Sequence, residues 1–150
     1  MHIVRGLEQE GASRVGFGLH VMVVSGQGED SGIVRRLAGL GGIVDLYDEL
    51  YGALDAIIEA PRDHGLVVID CDSFGGLDRG KRAVGLLGEA AGKVPVILVS
   101  QDCTQQTFPQ DRHQPTVLRA PLSAVSMRVG FEHALRDRIA LSEFEPVGWA

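Results

Sequence analysis

The chain has 150 residues, one domain's worth, with 45% hydrophobic residues but only 5% aromatic ones, so its core must be built from Val, Leu, Ile and Ala. A formal net charge of −6 excludes the basic footprint of a nucleic-acid binder, and no apolar run reaches the roughly 18 residues of a membrane span. Cys71 and Cys103 are the only cysteines and belong to no CxxC pair, which argues against a disulfide framework or a zinc site. Residues 1–18 lack the continuous apolar segment of a secretory leader. The expected location is the cytoplasm.

Residues 1–18, with four glycines, read as an N-terminal arm. Leu19 to Val24 is a short apolar run rich in β-branched residues that stops at Ser25-Gly26, the pattern of a buried strand. Asp30 or Ser31 caps a helix with apolar positions at Ile33, Val34, Leu37 and Leu40, and Gly41-Gly42 ends it. Ile43 to Leu46 is a second strand. A helix from about Asp48 carries Leu50, Leu54, Ile57 and Ile58 and stops at Pro61. Leu66 to Ile69 is a third strand ending in Asp70. A loop from Cys71 to Leu77 leads to a helix with Val84, Leu87 and Ala91 that closes at Gly92. Val94 to Val99 is the fourth strand. The polar segment from Gln101 to Gln114, interrupted by Pro109, predicts no long helix. Thr116 to Leu118 is a short fifth strand, and Pro121 suits the first position of a last helix running to about Leu141. Residues 142–150 form a tail, leaving 19–141 as the domain.

Five buried strands alternating with amphipathic helices predict an α/β protein of three layers, with a five-stranded parallel sheet between helices on both faces. Right-handed crossovers leave few orders, and the flavodoxin-like (βα)5 order 2-1-3-4-5 leads. The functional crevice of such a sheet lies at the carboxyl ends of the strands, here Ser25, Asp70, Ser100 and Leu118 to Pro121.

An Asp ending the third strand (Asp70), a hydroxyl ending the fourth (Ser100) and a proline after the fifth (Pro121) resemble the receiver domain of two-component response regulators, over about Leu19 to Ile139. The resemblance implies that Asp70 stands at the phosphoacceptor position and Ser100 at the switch hydroxyl, with Asp72, Ala120 and Pro121 also in the crevice. It also exposes departures. Receivers place a magnesium-binding acidic pair after strand one, where this chain has Ser25-Gly26. Glu29 and Asp30 come several residues later, as helix-capping residues would. The loop after Asp70 looks about two residues longer. The family's Lys-Pro is Ala120-Pro121, the bond before Pro121 being often cis in the family although trans is the general base rate. Arg119 lies one position early and points elsewhere by strand alternation. Val117 replaces the switch aromatic. Without a metal and an ammonium group, charge on a phosphorylated Asp70 would lack neutralisation. The reading is an atypical, single-domain pseudo-receiver, not an enzyme, signalling through protein–protein contacts with impaired or absent phosphorylation. It implies no cofactor, and magnesium only where phosphorylation is retained. Asp70 also admits a purely structural reading, as a carboxylate satisfying loop amides.

Two alternatives belong to other classes. Val68 to Ser73 contains Asp70-Cys71-Asp72, which resembles the nucleophile motif of haloacid-dehalogenase-like phosphatases, with Asp70 as nucleophile and Asp72 as general acid. The lysine that chemistry needs after Ser100 is missing. Gly26 to Gly32 gives GxGxxxG after strand one, a Rossmann-type nucleotide-binding pattern, but Glu29 and Asp30 would repel a pyrophosphate.

The last helix is apolar on two sides. Leu122, Val125 and Val129 lie on one; Ala124, Met127, Phe131 and Leu135 lie on another. Met127, Phe131 and Leu135 are the expected interaction face, for a homodimer or for a protein partner such as a histidine kinase or downstream regulator. Folding of Phe144 and Trp149 over that side is the competing reading.

Overall fold

The apolar runs form a twisted parallel sheet in the computed structural model, which describes residues 18–136. The strands are β1 (His20–Val24), β2 (Ile43–Tyr47), β3 (Leu66–Asp70), β4 (Val96–Ser100) and β5 (Thr116–Arg119), in the order β2-β1-β3-β4-β5 with every pairing parallel. This is the flavodoxin-like order expected from the sequence. All residues of β3 and β4 are buried. That explains why they read as unbroken hydrophobic stretches, since a central parallel strand is covered on both faces. β2, at the edge, is largely exposed.

Among the described residues the four α-helices are α1 (Gly32–Gly39), α2 (Leu50–Glu59), α3 (Leu77–Leu87) and α4 (Ala124–Ala134). Side chains alternate across each strand, so the sheet separates two cores. Met22, Val24, Val67, Ile69 and Leu98 pack with Leu54 and Ile57 of α2 and Val84 and Leu87 of α3. Val21, Val23, Val68, Ile97, Val99 and Leu118 pack with Leu37 of α1 and Met127 and Phe131 of α4. Local chemistry starts the helices. Ser31 caps α1 by accepting from the Ile33 amide at 3.1 Å, Glu49 caps α2 by accepting from Tyr51 and Gly52, and Ser123 caps α4 by accepting from Ser126 at 3.0 Å.

Several boundaries differ from the sequence reading. α4 begins at Ala124 and not at Pro121, because the Ser123 hydroxyl supplies the cap. The Ala120–Pro121 bond is cis. α3 ends at Leu87, where Gly88 turns to φ 59° and a 3-10 turn follows. β4 starts at Val96, since Pro95 has no amide to give the ladder and supplies only its carbonyl, to Val67.

No helix joins β4 to β5, as the polar composition predicted. Instead Thr107 exchanges two backbone hydrogen bonds with Val117 in an antiparallel bridge, which covers the outer edge of the sheet. α4 holds this loop in place. His133 contacts the Pro109 carbonyl at 2.7 Å and meets Phe108 edge-on, and Arg136 donates to the carbonyls of Pro109 and Gln110.

The expected interaction face is corrected by the burial. Met127, Phe131 and Leu135 are each 1% exposed. They form the inner stripe of α4 against the sheet, so they are core and not a docking face. The outward apolar residues of the helix are Val125 and Val129, 72% and 45% exposed. Residues 1–17 of the arm, the tail 142–150 and the expected helix end near Leu141 lie outside the described residues.

Candidate functional site at the carboxyl ends of the strands

Register builds this site. Val24 pairs with Ile69 and Asp70 with Val99, so the next residue of the β1 chain, Ser25, arrives beside Asp70, and Ser100 lies one step beyond. The Ser25 hydroxyl donates to Asp70 Oδ2 at 2.9 Å, and Ser73, from the 3-10 turn after β3, donates to the same oxygen at 2.9 Å. Asp70 is only 9% exposed, and a carboxylate at that depth needs such partners. The two serines also fix the β1–α1 loop, since Ser73 Oγ accepts from the Gly26 amide and Ser25 Oγ from the Gln27 amide.

Asp72 forms a second arrangement. Its Oδ1 accepts from the Ser100 hydroxyl at 2.6 Å and its Oδ2 from the Gln101 amide at 2.8 Å. Ser100 is fully buried and in turn accepts from the Asp102 amide at 3.0 Å. Asp102 reaches back to accept from the Leu77 amide at the start of α3. Asp70 and Ser100 are therefore brought to one crevice, but each is bonded to other side chains and not to the other.

A cleft of about 700 Å³ opens between these groups and α1; Arg36, Asp70, Asp72, Ser73, Gln101 and Pro121 are among its lining residues. Ala120 lines it where the receiver pattern has a lysine. Arg119 faces away: its guanidinium donates to the carbonyls of Cys103 and Thr104, as strand alternation predicts. Arg36 is the cation of this lining. It crosses from α1 to donate Nε to the Leu122 carbonyl at 3.0 Å. Glu29 and Asp30 are exposed in a 3-10 turn and are not part of the cleft wall.

Magnesium keeps several of its waters and is usually held by one or two carboxylates. Here Ser25 and Gly26 replace the acidic pair, both Asp72 oxygens accept donors, and Asp70 Oδ2 accepts two. Asp70 and Asp72 are then the carboxylates of the cleft wall, and both are already engaged by hydroxyl or amide donors. No cluster of three or more His, Cys, Asp or Glu able to hold a metal occurs among the described residues. Burial pushes the Cys71 thiol up to about 12, so the side chain between the two aspartates is a neutral core group and not a nucleophile. It packs against Gly80 of α3, where a Cβ would collide with its sulfur. In the segment Gly26 to Gly32, Gly26 is tied to Ser73 and Gly32 opens α1.

Ser25 was visible as a strand end, but its bond to Asp70 was not. Ser73, three residues after Asp70, fits the local habit of serine bonding back to a nearby acceptor. Nothing in the sequence marked Arg36, whose role depends on α1 packing beside the β5–α4 connection.

No protein-family model matches this sequence, and no curated protein matches it as a relative. Solved structures do match in fold. A response-regulator receiver domain protein from Clostridium thermocellum superposes with TM-score 0.65 at 15% identity, over 82% of this chain and 98% of that one. The beryllofluoride-activated NtrC4 receiver domain dimer gives 0.59 at 20% identity, over 79% and 97%. A mutant of the anti-anti-sigma factor PhyR from Bartonella quintana gives 0.56 at 16% identity, over 88% of this chain and 54% of that one.

Proposed function

We propose that this chain, which has the receiver fold, is a phosphorylation-independent signalling module that acts by binding protein partners in the cytoplasm and performs no catalysis of its own. The observation that carries the reading is the state of Asp70. Its Oδ2 is held by Ser25 and Ser73, with Ser25-Gly26 in place of the acidic pair and Ala120 in place of the cation. A phosphoryl group there would add about −1.5 to −2 charge with neither metal nor lysine to offset it. The net charge of −6 argues against nucleic acid as the partner. Among the described residues no helix is long and apolar enough to cross a membrane.

The partner surface fits the outer stripe of α4, where Val125 and Val129 are exposed. The NtrC4 receiver domain is a dimer, and a second copy or a regulator of complementary apolar surface is the occupant proposed here. The test is an amide NMR titration with magnesium and beryllofluoride, a mimic of an aspartyl phosphate. Unchanged amides at Asp70, Ser100 and Gln101 are expected. Saturable shifts at those residues would overturn the proposal.

A further inference from the structure

We infer that Asp72 is an internal occupant of an oxyanion cradle, and that its carboxylate keeps a phosphate-class anion out of the crevice. The inference rests on the phosphorylation-independent reading above and gives that reading a physical cause.

The cradle is built at the end of β4. The Ser100 hydroxyl and the Gln101 amide converge on one carboxylate, at 2.6 and 2.8 Å. Such distances belong to charge-assisted hydrogen bonds, about twice as strong as neutral ones. The donors are preorganised. Ser100 is fully buried, and its oxygen already accepts from the Asp102 amide, so the hydroxyl proton is directed at Asp72. The Gln101 amide is fixed by the chain leaving β4. This pair would hold any oxyanion placed between them, and Asp72 is the one the sequence supplies.

The cleft has room for an external anion beside the cradle. Arg36 lines it with Nε on the Leu122 carbonyl, and its terminal nitrogens make no hydrogen bond among the described residues. In the parent chain Asp70 and Asp72 together outweigh this single guanidinium. Removing the Asp72 carboxylate would free both cradle donors and leave one acid facing one cation. The cleft would then accept a tetrahedral oxyanion, bound by Ser100 Oγ, the Gln101 amide and Arg36.

The test is a titration of the isotope-labelled chain with inorganic phosphate, followed at the Gln101 and Asp102 amides. The parent is expected to show no saturable shift. Asp72→Ala is expected to show one at both amides, at least about tenfold tighter than any parent response, and Arg36→Ala in that background is expected to weaken it about tenfold. Asp72→Asn is the second variant should Asp72→Ala not fold. It keeps the side-chain volume but can accept at one atom only, and it too should bind phosphate more tightly than the parent. A folded Asp72 variant whose Gln101 amide ignores phosphate overturns the inference, as does a parent that binds equally well. Inorganic phosphate transfers no phosphoryl group to a carboxylate. Covalent modification of Asp70 by a phosphodonor would therefore sink the functional proposal without deciding this titration.

Discussion

Truncation of Phe131 to alanine separates the core assignment of α4 from the docking face that its sequence suggested. Phe131 is among the largest fully buried side chains and is 1% exposed. It lies one turn after Met127 and one before Leu135, in the cluster that includes Val21, Ile97 and Leu118. Replacing it leaves a cavity beneath the helix, and Phe→Ala changes of this kind cost about 3–5 kcal/mol. A domain of this size has a total stability of about 5–15 kcal/mol, so the variant should lose a large fraction of it. With a urea slope of about 1–3 kcal/mol/M, the unfolding midpoint should fall by at least about 1 M. Val129→Ala, on the exposed side of the same helix, should change stability by less than about 0.5 kcal/mol. Urea unfolding followed by far-UV circular dichroism reads both. Equal, small shifts for the two variants would refute the packing argument and return Phe131 to the surface.

Gly130→Ala should destabilise despite alanine's better helix propensity of about 1 kcal/mol, because a Cβ there would lie 2.7 Å from Leu118 Cδ1; thermal unfolding checks the sign, and a stabilised variant would contradict the close approach. Cys71 makes stability fall with alkaline pH. Below its ordinary value of 9.0 the folded and unfolded chains both hold the proton; between there and about 12 only the unfolded chain releases it. The loss should approach about 1.4 kcal/mol per pH unit in that window, and Cys71→Ala should flatten the profile measured by urea unfolding. Arg136→Ala removes donors to the carbonyls of Pro109 and Gln110 and should raise amide exchange at Thr107 and Val117 while leaving β3 protected.

The fold was legible where one residue type had one possible environment. β3 and β4 are continuous apolar runs because both their faces are covered, and the polar segment around Pro109 could not supply a helix. The faces of α4 were harder to assign. Met127, Phe131 and Leu135 form one apolar stripe and Val125 and Val129 another, and periodicity gives the angle between stripes without saying which meets the sheet. Burial of Gly130 against Leu118 decides it. The site was half legible. Asp70, Ser100 and the loss of the lysine at Ala120 could be placed from strand ends alone. Asp72, by contrast, looked like half of an Asp-x-Asp pair. Its partners Ser100 and Gln101 lie 28 and 29 residues away, and only the packed sheet brings them together. Arg36 bonds to Leu122 across 86 residues, a contact no local pattern encodes.

The proposed function requires that Asp70 take up no phosphoryl group. Intact mass after incubation with magnesium and acetyl phosphate tests it most directly, with Asp70→Ala as the control and Ser25→Asp/Gly26→Asp/Ala120→Lys as a variant carrying the replaced groups. No added phosphoryl group is expected on the parent. A phosphoryl group on the parent that is missing from Asp70→Ala would contradict it, because the serine-bound carboxylate would then be a working acceptor without the acidic pair or the lysine.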